Sequence, residues 1–144
     1  MKNVKAIGHI AVSVKNIERS MDFYVNKLGF EEMFRLERDG RLWIVYLRIT
    51  DTQFIELFPD GVGDSAPPFA NVGYNHLCLE VDDIDAAIAE ITARGVTLTA
   101  EKKLGVDQNY QAWIADPEGN RIELMQLGAN AMQTAAIRRI NGQA

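Results

Sequence analysis

The chain has 144 residues, which is about the length of one globular domain, and 47% of them are hydrophobic and 24% charged. Twenty acidic side chains against 15 basic ones give a formal net charge of −5, which argues against a surface for nucleic acid or anionic membranes, because both need clustered positive charge. One cysteine excludes a disulfide framework and a thiolate zinc site. The sequence has no targeting or membrane-spanning pattern, and we therefore expect a soluble, cytoplasmic protein.

The first half of the chain predicts a strand, a helix and three further strands. Apolar residues alternate from Ile10 to Val14, a pattern typical of a half-buried strand. The pair Lys15-Asn16 suits the start of a helix, and Gly29 suits its end. Asp39-Gly40 lies between apolar segments and indicates a hairpin turn. The predicted strands lie near 6–14, 29–37, 41–49 and 53–58, and the predicted helix near 16–27.

The second half of the chain repeats the first at a constant interval. The interval from His9 to His76 equals the interval from Glu56 to Glu123, so the two halves match in register at both of their ends. The same order of strand, helix and three strands is therefore expected again. Its predicted strands lie near 73–81, 96–103, 110–115 and 120–126, and its helix near 83–94.

This repeat defines the expected domain organisation. The segment Phe58–Gly73 is rich in Gly and Pro and is predicted to link the two halves. We expect a single domain over residues 1–144 of the α+β class, with two βαβββ modules at about 5–60 and 72–127. The tail over 129–144 has apolar residues at helical spacing, and we expect a helix that caps the domain, with a dimer contact as the alternative.

Four polar residues occupy equivalent positions in the two halves. The period of two in a strand turns His9, Glu56, His76 and Glu123 away from the helices of their halves. Taken singly, each is explained as a surface residue or a satisfied core residue. Taken together, two carboxylates in one pocket repel each other unless a proton or a cation neutralises them. Imidazole and carboxylate ligands suit a divalent Zn, Ni, Co, Fe or Mn ion, and we predict one metal site with open positions.

Three segments carry a resemblance to a known family. They read GHIAVSVKNIERSMDFYVNKLGF from Gly8, NHLCLEVDDIDAA from Asn75 and WIADPEGNRIELMQ from Trp113. Residues 5–127, which include all three, resemble the vicinal oxygen chelate superfamily, also called the glyoxalase/bleomycin-resistance/dioxygenase family. The resemblance implies two βαβββ modules whose curved mixed sheet surrounds a metal site. In glyoxalase I the four metal ligands fall on the positions of His9, Glu56, His76 and Glu123.

This ligand set implies a metal-dependent lyase or isomerase of the glyoxalase I type. Such an enzyme acts through an enediolate on a vicinal-oxygen substrate, for example the hemithioacetal of a 2-oxoaldehyde and a thiol. Iron-dependent ring-cleaving dioxygenases and thiol transferases of this fold, which are the main alternative, lack a carboxylate at the position of Glu56. A non-enzymatic binding protein of the bleomycin-resistance type is the third possibility, although such members lack the ligand set. The stretch LFPDGVGD from Leu57 replaces an Asn-containing segment that helps to hold glutathione, so the thiol cosubstrate stays open.

The resemblance also suggests roles for individual residues. We expect Glu123 to be the principal catalytic base and Glu56 to act on the opposite face of the substrate. Arg121 is expected to pair either with a substrate anion or with a nearby carboxylate. A homodimer is the expected assembly. The predicted pocket walls are Phe54, Phe58, Cys78 and Met125, with Trp113 or Tyr110 from the neighbouring strand, each of them equally explained as ordinary core.

Overall fold

The computed structural model describes residues 3–143, which form two compact units. The first unit extends to Ala66 and the second begins at Pro67, so the boundary lies inside the predicted linker. Each unit contains a four-stranded mixed sheet with a helix between its first two strands, and this confirms the α+β class and the two βαβββ modules. The first unit consists of β1 (His9–Ser13), α1 (Ile17–Met21), β2 (Glu31–Arg38), β3 (Arg41–Thr50) and β4 (Gln53–Phe58).

The sheet of the first unit has the strand order β1-β4-β3-β2. Strand β1 is parallel to β4, whereas β4, β3 and β2 are antiparallel neighbours. Helix α1 begins as predicted, because the side chain of Asn16 accepts a hydrogen bond from the backbone N–H of Arg19 at 2.8 Å. The helix continues as a π-helical segment, Asp22–Lys27, and the chain leaves it at Gly29 with a positive φ of 81°.

The second unit has the same topology. Its elements are β5 (Leu77–Glu80), α2 (Ile84–Ala93), β6 (Ala100–Leu104), β7 (Tyr110–Ala115), β8 (Arg121–Gln126) and a terminal helix, α3 (Met132–Ile140). The strand order is β5-β8-β7-β6, with β5 parallel to β8. Asp83 caps α2 by accepting hydrogen bonds from the backbone N–H groups of Asp85 and Ala86, and Gly95 follows the helix with a φ of 81°.

The core of each unit lies on the sheet face that the sequence period predicts. In β4, Ile55 and Leu57 are completely buried, and in β8 the equivalent Ile122 and Leu124 are buried as well. In β1, Ile10 is half-buried, whereas the residues on either side of it in the strand are exposed. This alternation determines which side chains are left on the opposite face.

Two predicted turns have the expected conformation. Asp39 and Gly40 both have a positive φ, of 52° and 72°, as the two-residue turn of a hairpin requires. In the second unit, the carboxylate of Asp116 accepts hydrogen bonds from the backbone N–H groups of Glu118 and Asn120, at 2.9 and 2.7 Å. This turn ends at Gly119 and leads directly into β8.

Two strands of the second unit begin later than the sequence predicts. Strand β5 begins at Leu77, so His76 lies just before the strand rather than within it. Strand β6 begins at Ala100 rather than near 96, and Val96 is buried beyond the end of α2. The tail does form a helix, and it joins the second unit through the loop before β7, where the backbone N–H of Met132 donates to the carbonyl of Asp107 at 3.0 Å. No helix within residues 3–143 is long and apolar enough to cross a membrane.

Candidate functional site

In the first unit, a histidine and a buried glutamate lie on two neighbouring parallel strands. His9 is the first residue of β1, and Glu56 lies in the middle of β4 opposite Ala11. The His9 Nε2 atom is 3.6 Å from the Glu56 Oε1 atom. The side chain of His9 is 53% exposed, whereas that of Glu56 is only 9% exposed. The first unit therefore keeps a carboxylate almost out of water, with one imidazole beside it that solvent or a ligand can reach.

Tyr46 supports the buried carboxylate of Glu56. The two residues face each other across β3 and β4, and the Tyr46 phenol donates a hydrogen bond to the carboxylate. This hydrogen bond, followed by partial desolvation, raises the pKa of the Tyr46 phenol above its ordinary value, so the phenol keeps its proton. The ring of Tyr46 stacks on Phe34 with the centroids 4.5 Å apart. The orientation of Glu56 is thus determined from the side opposite to His9 as well.

The second unit contains the equivalent pair in a tighter arrangement. The His76 Nε2 atom lies 3.1 Å from the Glu123 Oε2 atom, and the Glu123 side chain is 9% exposed. The other ring nitrogen, Nδ1, lies 2.9 Å from the Oδ1 atom of Asn75, which accepts the Nδ1 proton. An acceptor at Nδ1 leaves Nε2 as the nitrogen that is presented to Glu123 and to any metal ion at this place.

An aromatic ring and a thiol complete the surroundings of Glu123. Trp113 lies directly opposite Glu123 in β7 and meets the ring of His76 edge to face, with centroids 4.8 Å apart. Cys78 is the neighbour of Glu123 in β5, and its thiol donates a hydrogen bond to the carboxylate. Burial, together with the negative charge of Glu123, raises the pKa of the Cys78 thiol to about 12. Cys78 therefore stays a neutral hydrogen-bond donor near neutral pH.

Each unit thus brings together two of the four predicted ligands. Within residues 3–66 and within residues 67–143, taken separately, no group of three or more His, Cys, Asp or Glu side chains is arranged to hold a metal ion. Each unit nevertheless offers one imidazole and one nearly buried carboxylate. These donors fit a divalent cation, because a cation would neutralise the carboxylate. The shared site of His9, Glu56, His76 and Glu123 stays a prediction.

Two residues of the site were not singled out from the sequence. Tyr46 and Asn75 both contact a predicted ligand side chain, Tyr46 as a donor to Glu56 and Asn75 as an acceptor from His76. A signal for Tyr46 was present, because the repeat interval that relates the two histidines also relates Tyr46 to Trp113. The sequence left either Trp113 or Tyr110 as the neighbouring-strand residue of the predicted pocket wall. The strand register places Trp113 opposite Glu123, whereas Tyr110 lies opposite Gln126 and its ring contacts Lys102.

Each unit also has an open cleft. One, of about 330 Å³, lies beside α1 and includes Met21 and Arg35 but neither His9 nor Glu56. The other, of about 320 Å³, lies in the second unit and is lined by Thr99, Ala100, Trp113, Ala115 and Arg121. The second cleft adjoins the site residues, because Trp113 contacts His76.

Comparisons with known proteins agree with this architecture. A family model described as the Glyoxalase/Bleomycin resistance protein/Dioxygenase superfamily matches residues 6–124. The protein YaeR of Escherichia coli (strain K12) is 31% identical over 128 residues, 86% of this chain and 98% of YaeR. The mitochondrial methylmalonyl-CoA epimerase of Homo sapiens is 29% identical over 72% of this chain and 62% of the epimerase. A lactoylglutathione lyase of Neisseria meningitidis (serogroup A) is 28% identical over 82% of this chain and 88% of the lyase.

Solved structures show the same similarity. A glyoxalase family protein from Enterococcus faecalis superposes with a TM-score of 0.74 at 26% identity, over 84% of this chain and 97% of that protein. TnmS3, an antibiotic binding protein from Streptomyces sp. CB03234, has a TM-score of 0.66 at 26% identity, over 86% of this chain and 97% of TnmS3. These relatives include both enzymes and a binding protein.

Proposed function

Because the chain belongs to the glyoxalase/bleomycin resistance/dioxygenase superfamily, we propose that it is a metal-dependent lyase or isomerase of the glyoxalase I type. Its substrate would be a small molecule with two vicinal oxygens, such as the hemithioacetal of a 2-oxoaldehyde and a thiol. Glutathione is one candidate thiol, and it is the one implied by the name of the lactoylglutathione lyase relative. We further propose that the protein acts in the cytoplasm as a homodimer.

The observation that supports this proposal is the repeated pair of a histidine beside a buried glutamate. His9 and Glu56 form the pair in one unit, and His76 and Glu123 form it in the other. Burying a carboxylate costs free energy unless it is paired, and a bound cation would neutralise the buried carboxylates at these two equivalent positions. A divalent ion, which we propose to be Ni, Zn, Co, Mn or Fe, would be held by these four side chains.

When bound, such an ion would supply Lewis-acid activation of the two substrate oxygens, which would make the adjacent C–H bond more acidic and favour an enediolate. The chain's own residues supply the rest. The Glu123 carboxylate accepts the proton from one carbon and returns it to the neighbouring carbon, and Glu56 serves the opposite face. Asn75 and Tyr46 hold His76 and Glu56 in position through the hydrogen bonds described above.

The experiment that tests the proposed function is metal reconstitution followed by a turnover assay. The protein is stripped with a chelator and titrated with Ni²⁺, Zn²⁺, Co²⁺, Mn²⁺ or Fe²⁺ under anaerobic conditions. We expect one ion per chain, a rise in melting temperature of about 5–10 °C at 100-fold excess over Kd, and metal-dependent isomerisation of methylglyoxal–thiol adducts. Absence of stoichiometric metal in every case would overturn the proposal and favour a binding protein of the kind that TnmS3 represents.

Histidine variants test whether the two pairs share one ion. If they do, His9→Gln and His76→Gln each remove most of the melting-temperature rise. If only the second unit binds metal, His9→Gln leaves the rise unchanged. Glu32→Gln serves as a control for charge loss, because Glu32 pairs with Arg35 on β2 and takes no part in the site. Oxygen uptake with catechols and Fe²⁺, together with indifference to Glu56→Ala, would instead favour the ring-cleaving dioxygenase alternative.

A further inference from the structure

Arg121 is a cation that the described part of the second unit holds in place without a counter-charge. Its Nη1 atom donates a hydrogen bond to the Oδ1 atom of Asn75 at 2.9 Å. Its guanidinium carbon lies 4.5 Å from the ring centroid of Phe69 and 4.5 Å from that of Trp113. Within residues 67–143 no carboxylate lies within 4.0 Å of its nitrogen atoms, whereas Arg94 and Lys102 of the same unit both have such partners. The structure therefore decides against a carboxylate partner from the described part of its own unit.

The position of Arg121 connects it to the proposed catalytic residues. It lies two residues before Glu123 in β8, on the same face of the strand and therefore about 7 Å along it. The Oδ1 atom of Asn75 accepts hydrogen bonds from both Arg121 and His76, so the guanidinium and the imidazole are oriented by one atom. Arg121 and Trp113 also line the cleft of about 320 Å³. A molecule that reaches Glu123 and extends into this cleft meets the guanidinium.

The repeat shows that this cation is not part of the symmetric architecture. The ligands and the aromatic residues opposite the glutamates recur at the repeat interval, but the counterpart of Arg121 in the first unit is Phe54. Positions that differ between two equivalent halves are the ones that can distinguish the two ends of an asymmetric substrate. The first unit offers an apolar ring at this position, and the second offers a positive charge.

We propose that Arg121 is a specificity-determining residue that binds a carboxylate on the substrate. This carboxylate lies about 7 Å, the length of two strand residues, from the part of the substrate that reaches Glu123. A guanidinium has five N–H donors in a planar fork that suits a carboxylate, and within residues 67–143 only Nη1 donates a hydrogen bond. The two aromatic rings and Asn75 restrict the side chain before the ligand arrives, which lowers the entropic cost of binding. A single cation matches a singly charged carboxylate better than a doubly charged phosphate.

This inference rests on the proposed function, and its test uses two ligands that differ only in charge. Glutaric acid monohydroxamate has two vicinal oxygens and a terminal carboxylate, and its terminal carboxamide has the same shape without the charge. Binding of both is measured by Trp113 fluorescence in a Trp43→Phe background, with Ni²⁺-loaded and with metal-free protein. We expect the carboxylate to bind at least 10-fold more tightly than the carboxamide, because a charge-assisted hydrogen bond is lost in the amide.

Variants then assign this preference to Arg121. Arg121→Gln should bring the affinity ratio to within twofold of one, and Arg121→Lys should retain part of it. Arg94→Gln, which removes an arginine at the end of α2 in the same unit, should retain all of it. Equal affinities in the unmodified protein, or a preference that survives in Arg121→Gln, would overturn the inference. If Arg121→Gln does not fold, the unmodified protein and Arg121→Lys decide in the same way.

The two proposals fail in different ways. A carboxylate preference together with affinities that Ni²⁺ does not raise for either ligand would contradict the proposed metal function and support the anion site. If Ni²⁺ strengthens the binding of both ligands but their affinities are equal, the metal function is supported and the anion site is contradicted. Absence of binding by either ligand up to millimolar concentration, with and without metal, would overturn both.

Discussion

Tyr46 and Trp113 are separated by the repeat interval, and each of them faces the buried glutamate of its own unit across a pair of antiparallel strands. Tyr46 is opposite Glu56, and Trp113 is opposite Glu123. The repeat therefore includes the aromatic residue that packs beside each carboxylate, not only the histidine and the glutamate. The chemistry of the two aromatic residues differs, since Tyr46 donates a hydrogen bond to its glutamate whereas Trp113 packs against His76.

The first prediction concerns Glu123 as the catalytic base. Glu123→Gln keeps the size of the side chain and an oxygen ligand but removes the group that accepts the proton. We expect turnover of the methylglyoxal–thiol adduct to fall by about 10²- to 10⁴-fold, because a positioned general base contributes about that much. Bound metal, measured by elemental analysis, should remain near one ion per chain. The control is Glu90→Gln, on the surface of α2. Unchanged turnover in Glu123→Gln would remove Glu123 from the mechanism.

The second prediction concerns Tyr46 as a support for a metal ligand. Tyr46→Phe removes the hydrogen bond to Glu56 and leaves the ring that stacks on Phe34. Loss of such a supporting hydrogen bond weakens metal affinity by about 10- to 100-fold, and we expect a weakening at the lower end of this range. Titration calorimetry with Ni²⁺ measures it. Tyr110→Phe is the matched control, because Tyr110 lies opposite Gln126 rather than a predicted ligand. Equal affinities in the two variants would contradict the role of Tyr46.

The third prediction concerns the pH dependence of stability. A hydrogen bond from the side chain of Asn109, with a further one from Gln133 in α3, lowers the pKa of the Asp107 carboxyl below its ordinary value of 3.8. A carboxyl group with a lowered pKa in the folded state stabilises the fold fully above the unfolded pKa, and this contribution is lost as the pH falls through the folded pKa. Asp107→Asn should therefore show a smaller decrease in the urea midpoint on acidification from neutral pH to below the ordinary carboxyl pKa than the unmodified protein does.

Helix α3 allows an independent check of the same contact. Asp107 accepts a hydrogen bond from Gln133, and its carbonyl accepts the N–H of Met132. The protection of the α3 amides, that is, the factor by which they exchange more slowly than in an unfolded chain at the same pH, should therefore decrease below pH 3.8 in the unmodified protein. In Asp107→Asn, the protection of the α3 amides should vary less over this pH range. Identical pH profiles in the two proteins would contradict the assignment.

The fourth prediction concerns a close backbone approach after β8. A Cβ atom at Gly128 would overlap the backbone carbonyl of Gln108, so Gly128→Ala forces the two segments apart. We expect the free energy of unfolding to fall by about 1–3 kcal/mol, the usual cost of overpacking. Gly8→Ala is the control, because nothing lies within 4 Å of a Cβ atom built there. Denaturant unfolding of both variants measures the difference, and equal stabilities would show that the loop yields without cost.

Much of the fold could be predicted from local patterns. The alternation around Ile10, the capping residues Asn16 and Asp83 and the Asp39-Gly40 turn all act within a few residues of chain, and each has the predicted structure. The start of β5 was predicted too early, because the segment before Leu77 is occupied by side-chain hydrogen bonds of Asn75 rather than by strand pairing. The partners of Asn75 in those hydrogen bonds are Phe69 and Arg121. Arg121 is too distant in sequence for its contact with Asn75 to be predicted from a local pattern.

The sequence by itself determined the repeat, the βαβββ order and the four residues His9, Glu56, His76 and Glu123 as candidates, because the repeat interval and the strand period of two are properties of the residue order alone. Only the tertiary structure decided that both glutamates are nearly buried, that Trp113 rather than Tyr110 lies beside Glu123, and that Arg121 has Asn75 and two aromatic rings as partners. The reason is that these facts depend on which strands are neighbours and in which register they pair. The pairing of β5 with β8 joins segments that are far apart along the chain.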